Sequence, residues 1–179
     1  MANVFKRDGN ANAFSWEGLG DIKEGRADLG EEMPVLVYRL MQFTMLDVLS
    51  KEFGAEVADE FFRKAGFLAG SEFAKHTLNL DANFNSFVAE LQDKLLALKI
   101  GILRMEASDP DTGNMILTVG QDLDCSGLPI TNDTVCVYDE GFIAGIFYAF
   151  TGKEYAVKEI DCWGTGDRVC RFDVSVEEV

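Results

Sequence analysis

The hydrophobic pattern of this 179-residue chain changes its period near Leu98, and this change limits the folds that the chain can adopt. Before Leu98, apolar residues recur every three or four positions, as on the buried face of an α-helix. Pro34 suits the first turn of a helix, and Gly54 suits a position just beyond a helix end. Three amphipathic helices are therefore predicted, over residues 34–53, 56–76 and 84–98.

After Leu98, short segments rich in β-branched and aliphatic residues predict strands. Turn-forming residues at 109–114 and 163–167 predict that neighbouring strands pair as antiparallel hairpins. The predicted strands cover residues 100–106, 115–119, 135–138, 154–160 and 169–174. The fold class is therefore predicted to be α+β, with helices packed on an antiparallel sheet.

One further helix is predicted between the strands, capped by Asp139 and ending at Gly152. Its apolar stripe is too short to span a bilayer. The glycine pair Gly141 and Gly145 is therefore interpreted as a site of close packing on the sheet. The complete prediction is three N-terminal helices and one later helix on the sheet.

Length and charge restrict the domain count and the partners. The chain has the usual size of one domain, so a single domain over 1–179 is expected, with an irregular, glycine-rich arm at 1–32 that could include a short hairpin. The formal net charge of −15 disfavours nucleic acid and anionic membranes as partners. No apolar signal segment is found near Met1, so a cytoplasmic location is expected.

All four cysteines lie between residues 125 and 170, which in a cytosolic chain suggests metal or redox chemistry. Cys136, Glu159, Cys162 and Cys170 offer three thiolates and one carboxylate, which would complete a tetrahedral zinc shell. The alternative is that the cysteines are small buried residues and that Glu159 is a solvated strand residue. Spacing alone leaves both interpretations open.

The segments 135–141 and 158–172, which contain these four residues, resemble the C-terminal signature of 4-vinyl-reductase domains. They are also similar to the zinc-containing sensor domain of aromatic-responsive bacterial regulators, and a weaker likeness extends over 34–175. The resemblance implies a zinc held by Cys136, Glu159, Cys162 and Cys170. It also implies the fold of the vesicle-tethering TRAPP subunits, which is usually dimeric.

Two features differ from those regulators. Their pocket uses a His and a Trp to bind a phenolic hydroxyl, whereas His76, Trp16 and Trp163 do not occupy the corresponding positions here. The resemblance therefore gives little support for phenol as the ligand. The chain also ends at Val179, so ATPase and DNA-binding domains of the regulator type are not expected within it.

Cys125 lies outside the implied ligand set. A reactive thiol, an exchangeable ligand and an inert loop residue are all open for it. The inert interpretation is favoured because a reactive thiol needs positive neighbours, whereas Cys125 follows Asp122 and Asp124.

The function predicted from the sequence is a stand-alone binding or sensor domain for a small hydrophobic molecule. A zinc with four protein ligands has no open position for catalysis, and no nucleotide-binding glycine loop is found, so an enzyme is the less favoured interpretation. Alternatives are an accessory or enzymatic role in tetrapyrrole vinyl-group reduction, and a dimeric scaffold. The candidate ligand-binding residues are the apolar and aromatic side chains Met105, Met115, Leu117, Ile146, Phe150, Tyr155 and Val157.

A homodimer is also predicted. The long helices carry more apolar residues than one stripe facing one sheet requires. The surplus includes Met41, Phe43, Phe61, Phe62 and Phe67.

Overall fold

The computed structural model describes residues 14–177, which divide into two compact units at Leu40. The first unit contains a 3-10 turn at Trp16–Leu19 and a one-turn helix, α1, at Ile22–Gly25. Ser15 and Asp21 cap these turns by accepting hydrogen bonds from backbone N–H groups. The described part of the predicted arm thus forms helical turns rather than a hairpin, and residues 1–13 of that arm lie outside the described residues.

The second unit contains the remaining helices and the sheet. The predicted long helices are found close to their expected bounds, as are four of the five predicted strands. The helices are α2 (Val35–Phe53, which begins in the first unit), α3 (Ala55–Thr77), α4 (Phe84–Ala97) and α5 (Val137–Thr151). The strands are β1 (Ile102–Ser108), β2 (Met115–Gly120), β3 (Tyr155–Asp161) and β4 (Val169–Val176).

The four strands form one antiparallel sheet in the order β1-β2-β4-β3. Both predicted hairpins are confirmed, since β1 pairs with β2 and β3 pairs with β4. Asp109 shapes the first turn by accepting hydrogen bonds from the backbone N–H groups of Asp111 and Thr112. The central pair, β2 and β4, places Val119 opposite Cys170.

The fifth predicted strand, at 135–138, is wrong, and so is the predicted cap Asp139. Cys136 is the N-cap of α5 and has φ −91° and ψ 47°, which is not strand geometry. The backbone N–H groups of Val135 and Cys136 donate to the carboxylate of Glu159 at 3.0 and 2.9 Å instead of to a neighbouring strand. This side-chain acceptor turns the segment into a helix start three residues earlier than predicted.

α5 packs against both α3 and β3, while α4 packs against β1. The contact with α3 depends on two glycine pairs of the form Gly-x-x-x-Gly, Gly66 with Gly70 and Gly141 with Gly145. A Cβ atom at any of these positions would overlap a backbone atom of the opposite helix. The close packing predicted for the α5 glycines therefore occurs, but its partner is α3 rather than the sheet.

α2 differs from the other helices because Gln42 is its one buried residue. The amide Nε2 of Gln42 donates to Oδ2 of Asp124 at 2.6 Å, in the loop after β2. Among residues 14–177, no helix combines the length and the apolar run that a bilayer crossing needs.

We expect Gly145→Ala to lower the free energy of unfolding by about 1–3 kcal/mol, because the added methyl group overlaps the backbone of α3 at Phe67 and helix backbones cannot separate locally. Gly25→Ala is the matched control, since it adds the same methyl group to a helical glycine that has open space around it. The control should change stability by no more than about 1 kcal/mol. Equal denaturation midpoints for the two variants would contradict the close-contact explanation.

Candidate metal centre and ligand cavity

Four cysteine thiols meet at the end of the sheet beside the start of α5. Cys125 lies in the loop after β2, Cys136 caps α5, Cys162 follows β3, and Cys170 lies on β4. All four are free thiols and no more than 1% exposed. Their sulfur atoms lie within 4.8 Å of one another, so together they could hold a metal ion.

The sulfur separations can be compared with those of a tetrahedral thiolate site. With zinc–sulfur bonds of about 2.3 Å, the edges of the tetrahedron are about 3.8 Å long. The Sγ atom of Cys136 lies 3.9 Å from that of Cys162 and 3.8 Å from that of Cys170. The Sγ atoms of Cys125 and Cys170 are closer, at 3.0 Å, although this is well beyond the length of a disulfide bond.

Backbone turns present two of the thiols to this centre. Oδ1 of Asp122 accepts hydrogen bonds from the backbone N–H groups of Asp124 at 2.8 Å and Cys125 at 3.1 Å. In the second turn, the N–H of Gly164 approaches Sγ of Cys162 at 3.4 Å. Each turn therefore fixes the direction of its cysteine before any metal is considered.

The thiols differ in acidity because they hydrogen-bond to one another. Hydrogen bonds with Cys125 and the other thiols raise the pKa of Cys136, while hydrogen bonds donated by the same group lower the pKa of Cys162. Cys170 has a raised pKa, for which the interaction with Cys125 is the largest cause. The pKa of Cys162 is therefore shifted in the opposite direction to those of Cys136 and Cys170, and a divalent cation would replace the shared protons of the cluster.

Glu159 lies beside this cluster and is 2% exposed. Its Oε2 accepts the backbone N–H groups of Val135 and Cys136, while its Oε1 has no hydrogen-bond partner. Burial raises the pKa of Glu159 to about 7. The structure thus brings together Cys136, Cys162, Cys170 and Glu159, and it adds Cys125, for which the sequence favoured an inert position.

A second buried carboxyl, Glu140, lies in the first turn of α5 and is fully paired. It accepts hydrogen bonds from Nη2 of Arg63 at 2.9 Å, from Nζ of Lys158 at 3.0 Å and from the backbone N–H of Glu159 at 3.0 Å. These bonds connect α5 to α3 and β3. Glu140 is therefore a structural group whose charge is neutralised by its two cations.

Asp122 and Asp139 form a different kind of carboxyl pair. They hydrogen-bond to each other, and Oδ2 of Asp139 is buried without a partner. Burial, followed by the charge of Asp124, raises the pKa of Asp122 to about 6, and burial also raises the pKa of Asp139 well above its usual range. The Sγ atom of Cys136 lies 4.0 Å from Oδ1 of Asp122. Together with Cys136, the two carboxyls form a second group of potential metal-binding atoms.

The carboxyl pair lies at the edge of a cavity of about 30 Å³ between α4, α5 and the sheet. The rest of the lining is apolar and comes from residues including Leu91, Leu95, Leu103, Leu117, Val119, Ile143, Ile146 and Phe147. A volume of this size holds about two water-sized groups. A larger ligand would therefore have to displace side chains.

The seven candidate ligand-binding residues do not converge on one site. Leu117 and Ile146 line the small cavity. Met115 and Tyr155 line a cleft of about 280 Å³ next to the first hairpin, and Tyr155 and Val157 line a groove of about 420 Å³ between α3 and β3. Met105 is half-buried on β1, and Phe150 stacks on Phe87 with ring centroids 3.9 Å apart.

The functional candidates that the sequence missed are Cys125, Asp122 and Asp139. A usable signal was present in Asp122-Leu-Asp-Cys125, because an aspartate three residues before a cysteine can accept its backbone N–H and form a turn. Trp163 takes a structural role, since its indole N–H donates to the carbonyl of Leu128 at 2.9 Å.

A relative of known sequence aligns with most of the chain. An uncharacterized protein of Methanocaldococcus jannaschii, MJ1642, is 27% identical over 147 residues, covering 82% of this chain and 80% of its own length. The sequence pattern of the V4R domain matches residues 115–176. This region contains β2, α5, β3 and β4 and all four cysteines.

Three solved structures share the fold. A vinyl-4-reductase family protein from Methanocaldococcus jannaschii has a TM-score of 0.60 at 13% identity, covering 84% of this chain and 85% of its own. The phenol-responsive sensory domain of the transcription activator PoxR, with phenol, has a TM-score of 0.60 at 16% identity. The match covers 82% of this chain and 76% of that domain's chain. A trafficking protein particle complex subunit 3 from Naegleria fowleri, covalently bound to palmitic acid, has a TM-score of 0.61 at 11% identity. The match covers 80% of this chain and 95% of that subunit's chain.

These likenesses confirm the predicted α+β fold class and the resemblance to 4-vinyl-reductase, sensor and TRAPP proteins. Because the sequence identities to these three structures are all below 20%, the likeness is evidence for a shared fold only. Over residues 115–176, the chain is similar to the V4R domain family.

Proposed function

We propose that this chain is a small-molecule-binding sensor domain and that its ligand presents a hydrogen-bond donor to Asp122 and Asp139. The observation that carries the proposal is the apolar cavity with this carboxyl pair at one edge and an unpartnered oxygen on Asp139. Ligand sites are typically apolar, with a few polar groups whose pKa values are shifted. The likeness to a phenol-responsive sensory domain supports a sensor role.

The carboxyl pair restricts the chemistry of the ligand. A buried carboxylate oxygen without a partner costs free energy, which a donor such as an ammonium or hydroxyl group would recover. The opposite arrangement, a ligand carboxylate, would add a negative charge next to a pair whose own ionisation is already disfavoured, as the raised pKa values of both groups indicate. We therefore favour small apolar amines and alcohols, whose apolar part would displace side chains around the cavity.

Zinc is the proposed cofactor, and its role is structural. Soft thiolates at tetrahedral separations suit zinc, and Cys136, Cys162 and Cys170 are the ligands that the family signature also implies. The ion would join the β3–β4 hairpin to the start of α5. A cytoplasmic location fits this chemistry, because thiols are kept reduced there.

A dimeric scaffold is the second candidate function, and the small volume of the cavity favours it. The surface for the second copy would be formed by α2 and α3, where Met41, Met45, Val48 and Phe61 are each 46–57% exposed. Of the residues predicted to be surplus, Phe62 is buried, whereas Phe43 and Phe67 are half-buried. Exposed apolar side chains on neighbouring helices are typical of subunit contacts.

We expect benzylamine or benzyl alcohol to bind about 10-fold or more tightly than toluene, because toluene leaves the carboxyl pair without a donor. Isotope-detected NMR titration measures this ratio. Asp139→Asn should reduce the preference, whereas Asp111→Asn, the same change in an exposed turn, should leave it intact. If all three compounds bind equally, the proposed requirement for a hydrogen-bond donor on the ligand is wrong. If none of them shifts any resonance, the sensor proposal fails and the scaffold function is favoured.

The predicted homodimer is tested by sedimentation at micromolar concentration, where we expect twice the mass of one chain. Val48→Glu should produce monomers, because it would place a charge in the contact between copies. Leu96→Glu is the matched control, since Leu96 is equally exposed, at 57%, but lies on α4. A monomeric wild type would contradict the predicted dimer. If only Leu96→Glu dissociated the dimer, the contact between copies would lie on α4 instead.

A further inference from the structure

We propose that Cys125, rather than Glu159, supplies the fourth ligand of the metal centre and makes it a four-thiolate site. Asp122 is then a positioning residue that orients Cys125, and Glu159 supports the site through the backbone. This inference rests on the proposed zinc.

The position of the Cys125 sulfur carries the first step. It belongs to the group of four sulfur atoms that all lie within 4.8 Å of one another, and it is 3.0 Å from Sγ of Cys170. A metal at tetrahedral distances from the other three thiols would need this last pair to separate to about 3.8 Å. Rotation about the Cα–Cβ bond of Cys125 moves the sulfur through such a distance without a change of fold.

The turn before Cys125 carries the second step. Oδ1 of Asp122 holds the backbone N–H groups of Asp124 and Cys125, and Asp124 is held in turn by Nε2 of Gln42 at 2.6 Å. Cys125 is 0% exposed at the end of this turn. The loop is therefore ordered by specific hydrogen bonds that direct the thiol towards the other three cysteines, which is unlike an inert loop residue.

The bonds of Glu159 carry the third step. Its Oε2 is occupied by the backbone N–H groups of Val135 and Cys136, so the carboxylate holds the segment that presents Cys136. If Oε1 also bound the ion, the centre would have five protein donors, whereas structural zinc takes four. A thiolate is the softer ligand of the two candidates, and a carboxylate that fixes ligand geometry is a common outer partner of zinc sites.

Cobalt substitution tests the ligand set, because Co²⁺ enters tetrahedral thiolate sites and reports each sulfur by charge-transfer absorption. Wild-type protein should bind about one Co²⁺ per chain with the spectrum of four thiolates. Cys125→Ser and Cys170→Ser should each lose roughly one quarter of the charge-transfer intensity, if four thiolates contribute equally. Glu159→Gln should keep the four-sulfur spectrum.

X-ray absorption of the zinc-loaded wild type gives a measurement that does not depend on how the variants fold. We expect four sulfur neighbours at about 2.3 Å; three sulfurs with one oxygen at about 2.0 Å would restore Glu159 as the ligand and overturn the inference. An unchanged Cys125→Ser spectrum together with a shifted Glu159→Gln spectrum would do the same.

The positioning role of Asp122 has its own readout. Asp122→Ala should weaken Co²⁺ binding, and Asp122→Asn, which keeps an accepting Oδ1, should restore it. Equal affinities for all three proteins would remove this role from Asp122. Absence of metal binding in the wild type would overturn the zinc proposal itself and leave the ligand cavity untouched.

Discussion

Direct contact between the backbones of α3 and α5 sets the geometry on which the rest of the second unit depends. Four glycines allow it, because each faces a backbone atom of the opposite helix at a distance that excludes any side chain. The contact fixes α5 against α3, while the other side of α5 packs on β3. As a result, the start of α5 is placed so that Cys136 reaches the thiol cluster, Asp139 reaches the apolar cavity, and Glu140 reaches the cations Arg63 and Lys158.

Those environments separate the structural acidic groups from the functional candidates. Glu140 has two cations and a backbone donor, so its burial is compensated. Asp122 and Asp139 hydrogen-bond to each other beside an apolar cavity, Asp122 also accepts two backbone N–H groups, and Oδ2 of Asp139 remains without a partner. An uncompensated group in an otherwise well-paired region indicates a place where a ligand or ion would lower the free energy.

Much of the fold could be predicted from the sequence because period and turn chemistry are local properties. α2, α3 and α4 and both hairpins follow from them. The segment at 135–138 could not be predicted in this way, since its strand-like residues are turned into a helix start by the carboxylate of Glu159, which is 23 residues away from Cys136. Tertiary hydrogen bonds of this kind override local propensity.

The candidate site was predicted less completely. The family resemblance indicates Cys136, Glu159, Cys162 and Cys170, which the fold brings close together. The acidic neighbours of Cys125 favour an inert thiol, but the hydrogen bond from its backbone N–H to Asp122 has more influence on where the thiol points. The candidate ligand-binding residues are apolar or aromatic, which does not distinguish the lining of a cavity from ordinary core. Five of them are spread over three separate sites, and Met105 and Phe150 line none of the three.

The hydrogen bond between Gln42 and Asp124 has a consequence for communication within the domain. Gln42 is the one buried side chain of α2, and Asp124 lies between Asp122 and Cys125. A change in the ordering of this loop alters the free energy with which α2 is held, and by thermodynamic reciprocity a partner that binds α2 alters the ordering of the loop. Replacing the amide, in Gln42→Leu, would remove the hydrogen bond through which α2 and the loop are coupled.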